Sequence, residues 1–405
     1  MRLTRTLSLA CIWIFATFAT ASASTINVPA QQPTIQDGIN AAVNGDTVLV
    51  APGTYVENIN FNGKAITVTS SGGASVTIIN GNALAPVAAF VTSEGTSSVL
   101  SGFTLENGVG TFAFGYQGGG VSISFASPTI RNNVITTNSA NSGEGGGIGI
   151  YWGSPIVTGN LIMNNAAAFG GGVSIIGSST AQFLHNTIRN NTAGDGAAFE
   201  LFGAGTVLIE DNTIVENSAA GGQGGGLWVV NEADEIIVQN VIARNTAASG
   251  SQVYTSIPQS ISGFVLINNT IVSSANSTAD AAVIADGFNT NAQIINNVIV
   301  AFGTEAGLLC NPFYQGGPPI VHYNDAISAT QLSYGDSCAG FAGQNGNISA
   351  SPQFVNSAKG NYQLLKTSPA INAGTNSAPD IPKKDFAGRP RIVGGIIDMG
   401  AYEYQ

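Results

Sequence analysis

The chain has 405 residues, 44% of them hydrophobic and only 9% charged, with a formal net charge of -11. So much apolar content with so little charge excludes a disordered chain and requires a large core. The acidic balance argues against nucleic acid and anionic membrane as partners, because both need basic patches, and against a polyanionic glycan unless a cation bridges the two.

Residues 1–23 read as a secretory leader: Arg2 and Arg5 give a charged start, Leu7 to Phe18 an apolar run, and Ala21-Ser22-Ala23 a small-residue cleavage site. The run is too short to span a bilayer, and no later segment reads as a transmembrane helix. The remaining chain is therefore expected to be exported, secreted or held at the cell surface, as a monomer. Of its cysteines, Cys310 and Cys338 lie beyond the leader. In an oxidising compartment they either pair, tying down an irregular late loop, or stay as separate buried thiols.

After the leader, Pro33-Thr34 followed by Asp37 has the form of a capping-box helix start, with Asp in place of Glu or Gln. Ile35, Ile39 and Val43 fall on one helical face and Asn44-Gly45 supplies a stop. The expectation is a short amphipathic capping helix over the open end of the first coil. Asp46 to Val50, a Pro52-Gly53 turn, Val56 to Phe61 and Ala65 to Thr69 then read as the first strands.

The middle of the chain repeats. Asn133, Asn160, Asn186, Asn212, Asn240, Asn269, Asn297 and Asn324 follow one another at steps of 26 to 29 residues. An apolar residue stands three places before each of them (Ile130, Val157, Phe183, Ile209, Ile237, Leu266, Ile294, Val321), and isoleucine two places after the first seven. Apolar and polar residues alternate on both sides of the Asn, which is the pattern of two short strands meeting at a bend. A third strand follows each glycine cluster: GGGVSI from Gly118, GGGIGI from Gly145, GGGVSI from Gly170, GGGLWV from Gly224 and a degraded GDGAAF from Gly194.

Three strands in ~27 residues leave no room for a crossover helix, so successive coils must stack strand on parallel strand at ~4.8 Å. The fold class is all-β, a solenoid with three strands per coil. Asn is expected in the left-handed conformation at the bend, with its amide donating to the Asn of the neighbouring coil to form a ladder.

The segment from Thr34 to Ile59, TIQDGINAAVNGDTVLVAPGTYVENI, resembles the opening of secreted right-handed parallel β-helix proteins of the pectate lyase-like superfamily. With the repeats, the resemblance extends over residues 24–350. It implies a right-handed coil, and a superfamily that includes lyases, hydrolases, esterases, epimerases and adhesins. Residues 351–405, containing SPQFVNSAKGNYQLLKTSPAINAG and DFAGRPRIVGGIIDMGAYEYQ, are similar to the choice-of-anchor Q module that closes many exported bacterial β-helix proteins. That resemblance gives Asp385, Arg389, Arg391, Asp398 and Glu403 a structural part in closing the last coil. The chain ends at Gln405 without an apolar tail or sorting motif, which implies release or anchoring by another route.

Chemistry is sought first on the strand after the glycine cluster. Counted from the last glycine, positions one and three point inward and positions two and four outward, so Tyr151, Glu200 and Trp228 should be exposed. Gln117, Glu144 and Gln223 hold equivalent places on the preceding edge. Aromatic rings beside carboxyl and amide groups suit polysaccharide binding; the alternative is an ordinary exposed sheet face. Glu200 is also a candidate catalytic residue.

A polyuronate lyase would need a base and a cation. The outward face has no Lys, Arg or His, and Glu144, Asp195 and Glu200 spread over several coils, so Ca²⁺ is the one cofactor to be considered and no metal ligands are assigned. A second catalytic candidate is His185 with Asp211, one coil apart beside the Asn ladder and adjoining Glu210; an exposed turn pair is the alternative. Glu216 and Arg244 should form a solvated ion pair. The functions that follow are a polysaccharide-binding exported protein, a structural or adhesive surface protein, or a polysaccharide lyase or glycoside hydrolase.

Overall fold

A computed structural model describes residues 22–110, 118–177, 179–257, 263–286, 291–311 and 319–405. Residues 1–21 of the expected leader and Gln117 fall outside them. The repeats wind into a parallel β-solenoid with three long sheets of 12, 11 and 11 strands. Sheet I runs from Thr25–Val28 to Ile320–His322, sheet II from Gly53–Val56 to Asp325–Ser328, and sheet III from Ile59–Asn60 to Tyr334–Asp336. Each coil visits I, II and III in turn, and every pairing within these sheets is parallel, as in Ile130↔Val157, Ile135↔Ile162 and Ile150↔Ile175. The inward positions form one continuous core in which Ile130, Ile135, Ile150, Phe183 and Phe199 are fully buried.

The asparagine ladder forms between sheets I and II. Asn133, Asn160, Asn186, Asn212, Asn240, Asn269, Asn297 and Asn324 are buried, and the Nδ2 of each donates to the Oδ1 of the next at 3.0 to 3.2 Å, ending on Asn347. From Asn160 onward each Oδ1 also accepts the backbone N–H of the ladder residue one coil before it, as in Asn186 N to Asn212 at 2.8 Å, and Asn133 accepts Phe103 N. The expected left-handed conformation belongs to a different residue. The position just before the ladder Asn carries it, in Asn132, Gly159, His185, Asp211, Gln239, Asn268, Asn296 and Tyr323, at φ of 55 to 65°. That residue turns outward and aims the next side chain into the core.

A second ladder, which the sequence reading missed, fills the corner between sheets II and III: Asn138, Asn165, Asn191, Asn217 and Asn245, with amide-to-amide distances of 2.9 to 3.0 Å. It ends on Gln252, whose Oε1 accepts Asn245 Nδ2 at 2.9 Å.

The glycine clusters have two tasks. Gly145 takes φ of 75° at the corner. The next residue, Gly146, lies under the neighbouring coil so closely that a Cβ would fall 2.5 Å from Ala166 O. The chain passing over these glycines forms short extra strands, Ser139–Glu144 paired with Ala166–Phe169 and Ser218–Gln223 paired with Thr246–Ser249. These make a shelf along the edge of sheet III.

Helix α1, Ile35–Ala41, begins at Thr34, whose hydroxyl accepts Asp37 N at 3.0 Å and donates to Asp37 Oδ2 at 2.7 Å. The Glu57 carboxylate accepts the N–H groups of Ile35 and Gln36, both at 2.9 Å, and Lys64 Nζ donates to the carbonyls of Ile39, Asn40 and Ala42. The helix stops before Val43, which is exposed. Because the Thr34 hydroxyl accepts from one of several satisfied N-terminal donors, Thr34→Ala is expected to lower stability by about 1 kcal/mol in urea denaturation, with the core unchanged.

The C-terminal segment, expected to close the last coil, lies instead along the flank of the solenoid. Tyr362, Leu364, Ala370, Met399 and Ala401 pack on outward residues of sheet II, including Val215, Ala243, Val272 and Val300. Ala378 and Ile381 pack on Val238, Ile267 and Ile295 of sheet I. Ala401 N donates to Thr270 Oγ1 at 2.9 Å, Asn296 Nδ2 to Thr375 O at 3.0 Å and Gln239 Nε2 to Lys384 O at 2.7 Å. The physical reason is apolar area: in these coils sheet II is apolar on both faces, so its outer face needs a cover as much as its inner one.

Within the segment, buried Arg391 donates to the carbonyls of Asp398 and Gly400 and lies 3.8 Å from Glu403. Asp385 pairs with Arg389 at 3.0 Å. Cys310 and Cys338 are joined by a disulfide with Cα atoms 5.5 Å apart.

Candidate functional site

Alternation along sheet III sends two rows of side chains outward. The first contains Ser122, Gly149, Ser174, Glu200, Trp228 and Tyr254 in register; the second contains Ser124, Tyr151, Ile176, Phe202 and Val230. The last residues of the shelf strands form a row that brings Glu144 beside Phe169 and Phe169 beside Asp195, with Gln223 next in line. Glu144, Glu200, Gln223 and Trp228 therefore gather at one place. Tyr151 lies apart from them, one row over, and pairs through Ile176 with Phe202 rather than with Glu200.

Glu200 is outward-pointing but not exposed, at 2% of its free surface. The shelf covers it, a consequence that alternation alone does not reveal. Ser174 Oγ donates to Glu200 Oε2 at 2.7 Å. Burial, with smaller contributions from the Glu144 and Asp195 carboxyls, pushes the Glu200 carboxyl up to about 8, against the opposing effect of Ser174. Burial likewise pushes half-buried Glu144 up to about 7. Both carboxyls are thereby shifted toward the protonated form near neutrality.

Trp228, expected as a free stacking surface, is half-buried and already stacked. Its ring lies 5.8 Å from that of Phe169 at 16°, and its Nε1 donates to Gln223 Oε1 at 2.9 Å. Gln223 N in turn donates to Asp195 Oδ1 at 2.7 Å. Trp228 and Gln223 thus fasten the shelf to the sheet.

His185 and Asp211 do adjoin, with Nδ1 and Oδ2 3.6 Å apart; the His side chain is 68% exposed and that of Asp211 15%. Asp211 Oδ1 accepts Gln239 Nε2 at 2.8 Å, and the same nitrogen reaches Lys384 O. Burial raises the Asp211 carboxyl from its ordinary value. The pair lies at the seam where the C-terminal segment docks, in the left-handed corner row. Glu216 and Arg244 form a 3.0 Å pair, both partly exposed, which contributes little.

What the sequence reading missed on this face is its aromatic corner. Phe125 and Trp152, the residues that follow sheet III strands, are 62% and 49% exposed. Tyr151 stands between them, edge-on to Phe125 at 5.4 Å and to Trp152 at 6.4 Å. The available signal was the adjacency Tyr151-Trp152 in a strand-end position. Elsewhere, a cavity of about 370 Å³ between sheet II and the C-terminal segment is lined by Val300, Phe302, Pro352 and Phe354 among others, without a titratable side chain. Among the described residues, no three His, Cys, Asp or Glu side chains converge as a metal-holding group.

Comparison with known proteins adds three findings. No curated protein matches the chain. A crystal structure of the pectate lyase Pel9A is similar at 19% identity and a TM-score of 0.48, over 91% of this chain and 90% of that one. Residues 166–299 match the family model described as a right handed beta helix region, which makes these coils a right-handed parallel β-helix.

Proposed function

We propose that the protein is exported and binds polysaccharide through the outer face of sheet III. The observation that carries this reading is the distribution of aromatic side chains: Phe125, Tyr151, Trp152 and Phe202 remain at least partly open there, while the C-terminal segment covers the flank of sheets I and II. Aromatic faces among polar groups suit sugar rings. The Cys310–Cys338 disulfide is consistent with an oxidising compartment outside the cytosol. Burial of Glu200 and the seam position of Asp211 favour binding over cleavage.

The test is retention of the full chain on neutral and acidic polysaccharides, with and without Ca²⁺. Wild type is expected to be retained without releasing reducing or unsaturated ends, and Tyr151→Ala to be retained less. New chain ends would convert the reading to an enzyme, and indifference to every glycan would shift it to adhesion.

A further inference from the structure

At the corner where sheet III hands the chain back to sheet I, one residue passes through the left-handed region in each of five successive coils. In three successive coils it is Gly177, Gly203 and Asn231, with φ of 78, 59 and 74°, and these residue types enter that region most readily. In the two coils before them the same place is held by Phe125 and Trp152, at φ of 50 and 52°. A bulky aromatic residue is strained there, and neither gains burial in return, since both are exposed. The indole also has a prepared seat. A Cβ on Gly177 would fall 2.5 Å from Trp152 Cε2 and 2.6 Å from its Nε1, so the ring lies across the next corner where only glycine leaves room.

We propose that Phe125, Tyr151 and Trp152 form a stacking seat for an uncharged polysaccharide, with Trp152 as its principal ring. The inference rests on the polysaccharide-binding reading and adds the ligand class. Strain retained at exposed rings is explained by a contact made outside the chain. The apolar faces of pyranose rings stack on such rings. The lack of basic groups on this face selects against polyuronates: the two outward rows near the seat have no Lys or Arg among the described residues, and the acidic groups beside them are Glu144, Asp195 and Glu200. An acidic chain would find no counter-charge there.

The experiment is affinity electrophoresis of the full chain in gels containing hydroxyethyl cellulose, a linear galactan or polygalacturonate, combined with thermal melting. Wild type is expected to be retarded by a neutral polymer and not by polygalacturonate. Trp152→Asn, which installs a residue type the corner accepts, should weaken retardation at least tenfold while Tm holds or rises; Phe125→Asn is the independent second variant. A lower Tm with unchanged retardation in both variants would make the rings structural and overturn the seat alone. Retardation only by polygalacturonate would overturn the ligand class. Failure of wild type to bind any polymer would instead remove the broader reading on which the seat rests.

Discussion

Asn212→Ala is expected to destabilise the protein by roughly 5 kcal/mol, measured by urea denaturation, several times the effect of an average substitution. The side chain is fully buried, and its amide closes a local network on both sides. Its Oδ1 accepts Asn186 N and Asn186 Nδ2 at 2.8 and 3.0 Å, and its Nδ2 donates to Phe183 O at 2.8 Å, Glu210 O at 2.9 Å and Asn240 Oδ1 at 3.1 Å. Alanine leaves a buried N–H and carbonyl groups without these partners, in a corner that water cannot enter without displacing the stack. Asn132→Gly is the matched control. Asn132 is exposed and left-handed at φ 55°, and glycine satisfies that conformation, so a change below about 1 kcal/mol is expected. Equal losses in the two variants would show that the bend, and not the amide network, holds the corner.

Glu200→Gln should stabilise the protein at alkaline pH. The Glu200 carboxyl is pushed from 4.5 up to about 8, chiefly by burial. Between those values the folded state holds a proton that the unfolded chain has released, so the group's contribution to stability is full below about pH 4.5 and declines as pH rises through about 8. Gln keeps an acceptor for Ser174 and carries no charge. At pH 4 the variant and wild type should have similar stability; at pH 9 the variant should be more stable by roughly 5 kcal/mol, from the size of the shift. Glu144, raised in the same direction, will leave a smaller pH dependence in the variant. Parallel pH profiles for the two proteins would mean that Glu200 is solvated and the shelf open.

Much of the fold was legible because a solenoid writes its geometry into one period. Asn133 to Asn324 marked the first corner, and the apolar residues three before and two after it marked two of the sheets. The second ladder had the same visibility, since Asn138, Asn165, Asn191, Asn217 and Asn245 follow the first by five residues each time. Which residue takes the left-handed conformation was not legible, because both the ladder position and the one before it contain Asn.

The site was less legible, for a physical reason. Alternation tells which way Glu200 and Trp228 point but not what crosses above them, and the glycine clusters, read as corners, were also the floor on which Ser139–Glu144 and its neighbours lie. The flank position of the C-terminal segment had a readable signal. One outward row of sheet II passes from Thr136, Met163 and Arg189 to Val215, Ala243, Val272 and Val300. The row turns apolar where the segment covers it.

The flank segment gives the molecule mechanical polarity. In a simple stack each coil holds only to its two neighbours, and either end can peel away turn by turn. Here Arg244 meets Tyr362, Asn268 meets Asp398 and Asn296 meets Thr375, so a single strip of chain bolts several turns together like a splint. Among the described residues the turns before Asn186 have no such brace, so a pulling force would unravel the protein from its N-terminal side and spare the splinted half until last.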